Sequence, residues 1–437
     1  MKVAFATLGC RVNVYESEAM MEKFIREGYE IVDYSEVADV YVINTCSVTN
    51  MGDKKSRQMI SRGRRQSPES IIAVVGCYSQ IATEEVGNID GVDVVLGTRN
   101  KGEIVYWVNK AKETKEKQIQ VGQVLRNNEF EDLKIEEYQD KTRAFLKIQD
   151  GCNRFCAYCL IPYARGAVCS KDPEKVITEI KSLAENGFKE IILSGIHIAS
   201  YGVDLDKKVT LVDIIEEIES IEGIERVRIG SIDPTFFTED VVKKIVNFKK
   251  LCPHFHLSLQ SGANETLKRM NRRYTKEEYE NIVNFLRENF RDVAITTDVI
   301  VGFPGETQEE FEETYEFLKK VKLSKMHIFK YSPRKGTRAA EMEEQIDGTI
   351  KDERSKLLIK LNEENEKEFI SRYIDKEVNV LFEQQYKAEE GTYEGYTENY
   401  IKVVSKSSCK DIIGKIAKVK INSAGNELAY GEIISID

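Results

Sequence analysis

Between residues 141 and 331 the chain repeats one unit six times, a short apolar run followed by a stretch with helical periodicity. The runs are RAFLKIQ (143–149), EIILSG (190–195), RVRIGSI (226–232), HFHLSLQ (254–260), AITTDVIVG (294–302) and MHIFKY (326–331). Runs this short and apolar read as strands buried on both faces, which belong to parallel sheets with helical crossovers. One crossover helix is legible from its ends: PEKVITEIKSLAENG has Pro173 near its start and Gly187 at its stop. Six such units predict a partial (βα)6 TIM-like barrel, short of the full eight. Pattern alone leaves an open sheet as the alternative.

A shorter alternation precedes it. VAFATLG (3–9), VYVIN (40–44) and IIAVVG (71–76) read as buried strands, with YESEAMMEKFIREG and DKKSRQMISRGRR as helices between them. This predicts a doubly wound parallel α/β domain over residues 1–120. Residues 111–140, rich in Lys, Glu, Asn and Gln, read as a linker with IQVG as a possible strand. The barrel domain is assigned to 138–368, including a charged helix-prone stretch at 338–370. After residue 372 the texture changes to EVNVLFE, IKVVSK, KIAKVKI and LAYGEIISI, which predict a small β-barrel domain over 372–437. The fold class is therefore α/β and multidomain, as a length of 437 residues requires of a chain that one core cannot support.

No apolar run approaches the roughly 18–20 residues needed to span a bilayer. The N-terminus, MKVAFATLGCRVN, turns polar too early for a secretory signal. The expected compartment is the cytoplasm, with no membrane partner. In that reducing setting the nine cysteines favour metal or redox chemistry over disulfides. Four histidines (His197, His254, His256, His327) are few for a histidine-based metal enzyme.

Three cysteines, Cys152, Cys156 and Cys159, stand at C-x3-C-x2-C spacing in DGCNRFCAYCLIPYARG, just after the first barrel strand. That places them on the C-terminal face, where such barrels do their chemistry. A closed zinc site needs a fourth ligand, and Cys169 is the only neighbour. Three thiolates can instead hold three irons of a cubic 4Fe–4S cluster and leave the fourth iron open. Cys10, Cys46 and Cys77 look scattered, yet each follows directly on a buried strand: TLG-Cys10, VINT-Cys46, VVG-Cys77. Ligands of open α/β sheets collect outside the carboxyl ends of the strands, so these thiols are expected to converge. Gly9 and Gly76 permit close backbone approach there. The plainer alternative is three buried core thiols, and Cys169, Cys252 and Cys409 are left as such.

A net charge of −10 argues against a generic nucleic-acid coat protein, but footprints are local. Lys54, Lys55, Arg57, Arg62, Arg64 and Arg65 form one basic cluster. Lys402, Lys406, Lys410, Lys415, Lys418 and Lys420 form another near Tyr393, Tyr396 and Tyr400. Lys and Arg contact phosphates and aromatics stack unpaired bases; the alternative is two solvated basic faces.

CNRFCAYC resembles the cluster motif of radical S-adenosylmethionine enzymes. In that family S-adenosylmethionine chelates the open iron, and its reductive cleavage gives a 5′-deoxyadenosyl radical. The resemblance marks Ser194, Gly195, Ser231, Asp233, Gln260, Ser261, Gly302 and Gly305, at successive strand ends, as a cofactor cradle. Each polar residue among them, taken alone, is more often a turn or cap residue. With TLGCRVNVYESE (7–18), VINTCSVT (42–49), VVGCYSQ (74–80), LSLQSG (257–262) and DVIVGFPGET (298–307), nearly the whole chain resembles the methylthiotransferases of that superfamily. This implies a second 4Fe–4S cluster on Cys10, Cys46 and Cys77, two S-adenosylmethionine per turnover, and a C-terminal OB-like RNA-binding TRAM domain. It also implies tRNA as partner, with an electron donor and a sulfur source of unknown identity, and no assigned catalytic residue beyond the clusters.

Arg11-Val12-Asn13 and Tyr15-Glu16 are similar to the branch that modifies N6-threonylcarbamoyladenosine beside the anticodon, on its 3′ side. The isopentenyladenosine branch usually has Gln-Met-Asn after the first cysteine, and the ribosomal-protein aspartate branch a Pro-Lys-Asn type. Two other classes stay open: a cobalamin-dependent radical methylase, disfavoured because no histidine precedes His197, and a non-enzymatic iron–sulfur RNA-binding protein.

Overall fold

A computed structural model describes residues 1–125, 129–133, 135, 142–387, 389–409 and 411–436. The predicted start of the barrel domain at 138 and the candidate Lys410 lie outside the described residues.

The N-terminal region is a six-stranded, all-parallel sheet. Its strands are β1 (Lys2–Thr7), β2 (Glu30–Val32), β3 (Val40–Thr45), β4 (Ile71–Gly76), β5 (Val94–Leu96) and β6 (Gln118–Gln120), in the order β2-β1-β3-β4-β5-β6. Every residue of β3 is buried, as a central strand covered on both faces requires. The covering helices include α1 (Arg11–Arg26), α2 (Asn50–Gln66), α3 (Cys77–Ile81), α4 (Thr83–Gly87) and α5 (Ile104–Thr114). Residues expected to be linker are partly structural: α5 runs to Thr114, β6 closes the sheet edge, and Leu133 and Ile135 are buried in the barrel core.

The second region begins with β7 (Arg143–Lys147), then a small ladder of β8 (Gln149–Asp150) with β9 (Cys169–Ser170). β10 (Glu190–Ser194), β11 (Arg226–Ile229), β12 (His254–His256), β13 (Ala294–Val301) and β14 (Lys325–Lys330) complete six parallel barrel strands in chain order. Between β11 and β12 only isolated bridges connect, Val227 with Leu251 and Ile232 with Leu257. The barrel is open between β7 and β14, and α1 packs against β7.

A long helix, Gly348–Ser371, leads to a closed five-stranded barrel: β15 (Glu377–Gln385), β16 (Thr392–Thr397), β17 (Lys402–Lys406), β18 (Ile416–Ala424) and β19 (Ala429–Ile436). It seats on the N-terminal end of the large barrel. There Arg226 donates to the Tyr396 carbonyl (3.0 Å) and Arg228 to the Glu398 carbonyl (2.9 Å). The β16–β17 turn thus projects Tyr400, held at φ +69°, toward the barrel floor, where its ring meets His254 at 4.8 Å.

Candidate active site: two cysteine triads at one domain seam

The three scattered cysteines come together. Cys10 caps α1, Cys46 follows β3, and Cys77 opens α3, all at the carboxyl edge of adjacent strands β1, β3 and β4. A Cβ on Gly9 would lie 2.6 Å from Cys46 Cβ and 2.8 Å from its Sγ, so the Cys10 loop and Cys46 are in direct apposition. Gly9 and Gly76 both take φ +102°, a conformation that side chains resist. Asn13 ties the loops: its Nδ2 donates to the carbonyls of Leu8 (2.7 Å) and Thr45 (2.9 Å).

The second triad sits on a loop that leaves β8. Backbone N–H groups two residues on point at the thiols: Arg154 N to Cys152 Sγ and Ile161 N to Cys159 Sγ, both 3.4 Å. Val48 N does the same for Cys46 at 3.5 Å. Such donors stabilise thiolate ligands and tune a cluster's potential. Burial pushes the Cys46 thiol up to about 11 and the Cys159 thiol up to about 12. Thiols so placed ionise when a metal supplies the compensating charge. Among the described residues no His, Cys, Asp or Glu group converges tightly enough for one bare metal ion. The donor set fits a polynuclear group, one iron per thiolate.

One short helix joins the triads. α6 (Ile161–Arg165) starts two residues after Cys159 and packs against α3, which starts at Cys77. Its last residue, Arg165, is fully buried at the seam. It donates to Glu16 of α1 (2.9 and 3.1 Å), to Asp150 (3.1 and 3.2 Å) and to Asn13 Oδ1 (2.8 Å). Lys147 bridges the same two carboxylates (2.9 and 3.1 Å), and Lys101 closes on Glu16. Burial opposes ionisation of Glu16, but Arg165, Lys101 and Lys147 hold it well below the usual carboxylate range. Arg165 Nε has no hydrogen-bond partner, and Glu131, beside Lys147 and Lys101, adds a third carboxylate to the three cations. Its charge reaches Cys77 and Cys46. The unpartnered Nε and the charge of Arg165 beside these thiols suit an anionic, thiolate-bound group there.

A second tie closes the seam. Arg334, in the loop after β14, pairs with Asp53 of α2 at 2.7 Å and donates to Asn50 Oδ1 at 2.6 Å. This ties the helix that follows Cys46 to the C-terminal side of the last barrel strand.

The expected cofactor cradle divides. Asp233 reaches the second triad's loop: Arg154 stands 3.7 Å from its carboxylate and donates to His197 (3.1 Å), which is itself 3.6 Å from Asp233. Ser194 and Gln260 end buried at the rim, and Ser231 is exposed. Gly195 is packed on Gln149, whose Oε1 accepts from His197 N (2.7 Å). Ser261 points away from the mouth, because Gln260 at φ +76° turns it to Thr314 Oγ1 (3.2 Å). Gly302 and Gly305, at φ +68° and +74°, are covered by Lys351 and by Glu344 with Arg269. Sequence reasoning missed Arg272, half-buried beside the loop, whose guanidinium lies 3.4 Å from Cys156 Sγ and 2.9 Å from the Ser258 carbonyl. Cys169 is turned to Arg99 (2.7 Å) and takes no part in either triad.

Of the basic candidates, Lys54, Lys55, Arg57, Arg62 and Arg65 are exposed on α2, although Arg57 also bonds Tyr78 and Glu85. Arg64 is occupied by the carbonyls of Pro68, Ser70 and Gly91 and by Asp93. Lys406, Lys415 and Lys418 are exposed on the small barrel, while Lys402 pairs with Glu394 at 2.7 Å.

Residues 146–318 match the Radical SAM superfamily and residues 2–97 the uncharacterized protein family UPF0004. The threonylcarbamoyladenosine tRNA methylthiotransferase MtaB of Bacillus subtilis (strain 168) is 45% identical over 99% of this chain and 96% of its own. The tRNA-2-methylthio-N(6)-dimethylallyladenosine synthase of Clostridium tetani is 38% identical over 98% and 95%. Among solved structures, the radical S-adenosylmethionine methyltransferase TsrM of Kitasatospora setae shares the fold, with TM-score 0.58, 12% identity, and 78% and 73% of the two chains covered.

Proposed function

Because this chain belongs to the radical S-adenosylmethionine tRNA methylthiotransferases, with two 4Fe–4S clusters and S-adenosylmethionine as cofactors, we propose that it converts N6-threonylcarbamoyladenosine, 3′ of the anticodon, to its 2-methylthio derivative. The observation that supports the reading most directly is the packing of α6, which begins just after Cys159, on α3, which begins at Cys77. A reaction that takes hydrogen from adenine C2 and puts sulfur there needs both centres at one base. Identity to relatives named for the threonylcarbamoyl substrate supports that branch, as does Arg11-Val12-Asn13.

Cys152, Cys156 and Cys159 would hold the radical-generating cluster, and Cys10, Cys46 and Cys77 the auxiliary one. Bound there, the cofactors would supply the hydrogen-abstracting radical and the methyl group, and the auxiliary cluster would carry sulfur taken from a separate source. The chain's own part is placement. Asn13 clamps the Cys10 and Cys46 loops, Arg165 fixes that clamp to the barrel, and Arg154, His197 and Asp233 set the polar rim. Hydrogen-bonded groups of this kind hold geometry without rearrangement during turnover.

The exposed face of α2, with Lys54, Lys55, Arg57, Arg62 and Arg65, supports a phosphate track beside the mouth, and Lys406, Lys415 and Lys418 a second contact. An anticodon-loop base is unpaired at the outset, so presenting it costs little. A low-potential one-electron donor and a sulfur source complete the reaction. No helix among the described residues is long and apolar enough to cross a membrane, and the cytoplasm, where tRNA is, fits the reading. The deciding experiment is mass spectrometry of nucleosides in bulk tRNA from cells with and without this protein. Loss of the 2-methylthio form with accumulation of its threonylcarbamoyl precursor is expected; an unchanged level would refute the substrate.

A further inference from the structure

Arg11, the residue directly after Cys10, differs from every arginine around it. Arg143 pairs with Glu383, Arg228 with Glu190 (3.0 Å), and Arg165 with Glu16 and Asp150. Arg11 has no carboxylate within ion-pair range among the described residues, and it is solvent-accessible. Its position is nevertheless fixed. The guanidinium lies 5.3 Å over the Phe145 ring of β7 and 5.9 Å from the Tyr400 ring, and Nη2 donates to Tyr400 Oη at 3.0 Å. Tyr400 is braced in turn by Arg228 over its ring (4.5 Å), by Tyr396 stacked at 4.7 Å and by His254. A cation stacked on one aromatic face and tethered by one hydrogen bond keeps its remaining N–H groups free at a defined place. That place lies between β7 and the Tyr400 turn, one residue along the chain from Cys10.

Resting on the threonylcarbamoyl reading above, we infer that Arg11 recognises the carboxylate of the threonyl group, and so sets the enzyme's choice of modified adenine. A guanidinium fork matches a carboxylate in two parallel hydrogen bonds. An apolar isopentenyl group would displace water from the same guanidinium without returning a hydrogen bond, and a polar group left without its partner is what gives strong discrimination. RNA phosphates do not compete, because they stay on the backbone when a base enters a pocket. The carboxylate of S-adenosylmethionine is the other anion in the reaction, and the test separates the two.

The probes are three anticodon stem-loop RNAs, identical except at one adenine. One carries N6-threonylcarbamoyladenosine, one the same group with its carboxylate converted to the neutral amide, and one isopentenyladenosine. Binding to the reconstituted holoprotein is read by fluorescence anisotropy, alongside the dissociation constant of S-adenosylmethionine. The wild type is expected to prefer the carboxylate RNA to the amide by about tenfold or more, the yield of a charged hydrogen-bonded pair. Arg11→Gln erases the preference, Arg11→Lys keeps part of it, and S-adenosylmethionine affinity is unchanged. Should Arg11→Gln fail to load iron, Tyr400→Phe removes the tether but not the charge, and a severalfold loss of preference is expected there. A full preference surviving in Arg11→Gln, or a loss confined to S-adenosylmethionine, overturns the inference while leaving the substrate reading intact. A wild type without preference for the threonylcarbamoyl RNA overturns both.

Discussion

Arg165 of the barrel and Glu16 of the N-terminal sheet region meet in two hydrogen bonds of 2.9 and 3.1 Å, both side chains fully excluded from solvent. Removing one partner of such a pair leaves a buried charge uncompensated. Arg165→Met is therefore expected to cost about 3–5 kcal/mol in urea unfolding. Adding Glu16→Gln should recover part of the loss, since residues in one network are not additive. Equal or greater destabilisation in the double variant would mean that Arg165 acts through Asp150 and Asn13 instead.

Gly9→Ala tests the convergence of the scattered triad. Its Cβ would meet Cys46 Cβ at 2.6 Å and Sγ at 2.8 Å, at a φ of +102°. Cys46 must move, and no barrel residue is touched. Iron after anaerobic reconstitution should fall from about eight per chain toward about four, one cubic cluster's worth. Cleavage of S-adenosylmethionine should persist. Iron unchanged at the wild-type level would place the auxiliary ligands elsewhere.

The cysteines were legible because strand ends and ligand spacing are both written locally. β5 and β2, three residues each, were not, since a run that short carries no period. β16 was hidden by its composition, TYEGYT, in which Gly395 makes room for the Leu381 carbonyl. Arg165 was silent for a different reason. Its carboxylate partner stands 149 positions upstream, on a helix whose spacing gives no sign that Glu16 is buried. Ser261 and the glycines of DVIVGFPGET were marked as a cofactor edge by the family resemblance and their strand-end positions. Where Ser261 points depends on the φ of +76° at Gln260, which the residue name does not disclose.

His254 gives the barrel floor a pH dependence of definite sign. It is buried against Tyr400 and Thr296, and burial, then Arg228, holds its imidazole well below the usual value, so it is neutral in the folded chain. The unfolded chain protonates the same residue near pH 6.5. Stability from this group is thus full above about pH 6.5 and falls as pH drops below it, by up to about 1.4 kcal/mol per pH unit. Glu383, raised by burial to about 7 despite Arg143, acts in the opposite sense. The measurement is the difference in urea midpoint between the wild type and His254→Gln at pH 7.5 and 5.5. That difference should shrink or reverse toward acid, and a constant offset would show that His254 does not titrate on unfolding.

Arg272 is the residue through which the chain acts most directly on the barrel triad. Its guanidinium lies 3.4 Å from Cys156 Sγ and is held by the Ser258 carbonyl and Tyr274. A cation and N–H donor at a ligand sulfur favours the more negative, reduced state of a cluster. Replacing it with neutral Gln keeps a donor but removes the charge. The reduction potential of the barrel cluster, read by electron paramagnetic resonance titration, should therefore become more negative in Arg272→Gln, while iron content and the auxiliary signal stay as they are. Arg272→Lys separates charge from geometry: it restores the potential if the positive charge alone matters, and fails to if the fork that grips Ser258 is what aims it. A potential unmoved in both variants would assign Arg272 to packing of the loop alone.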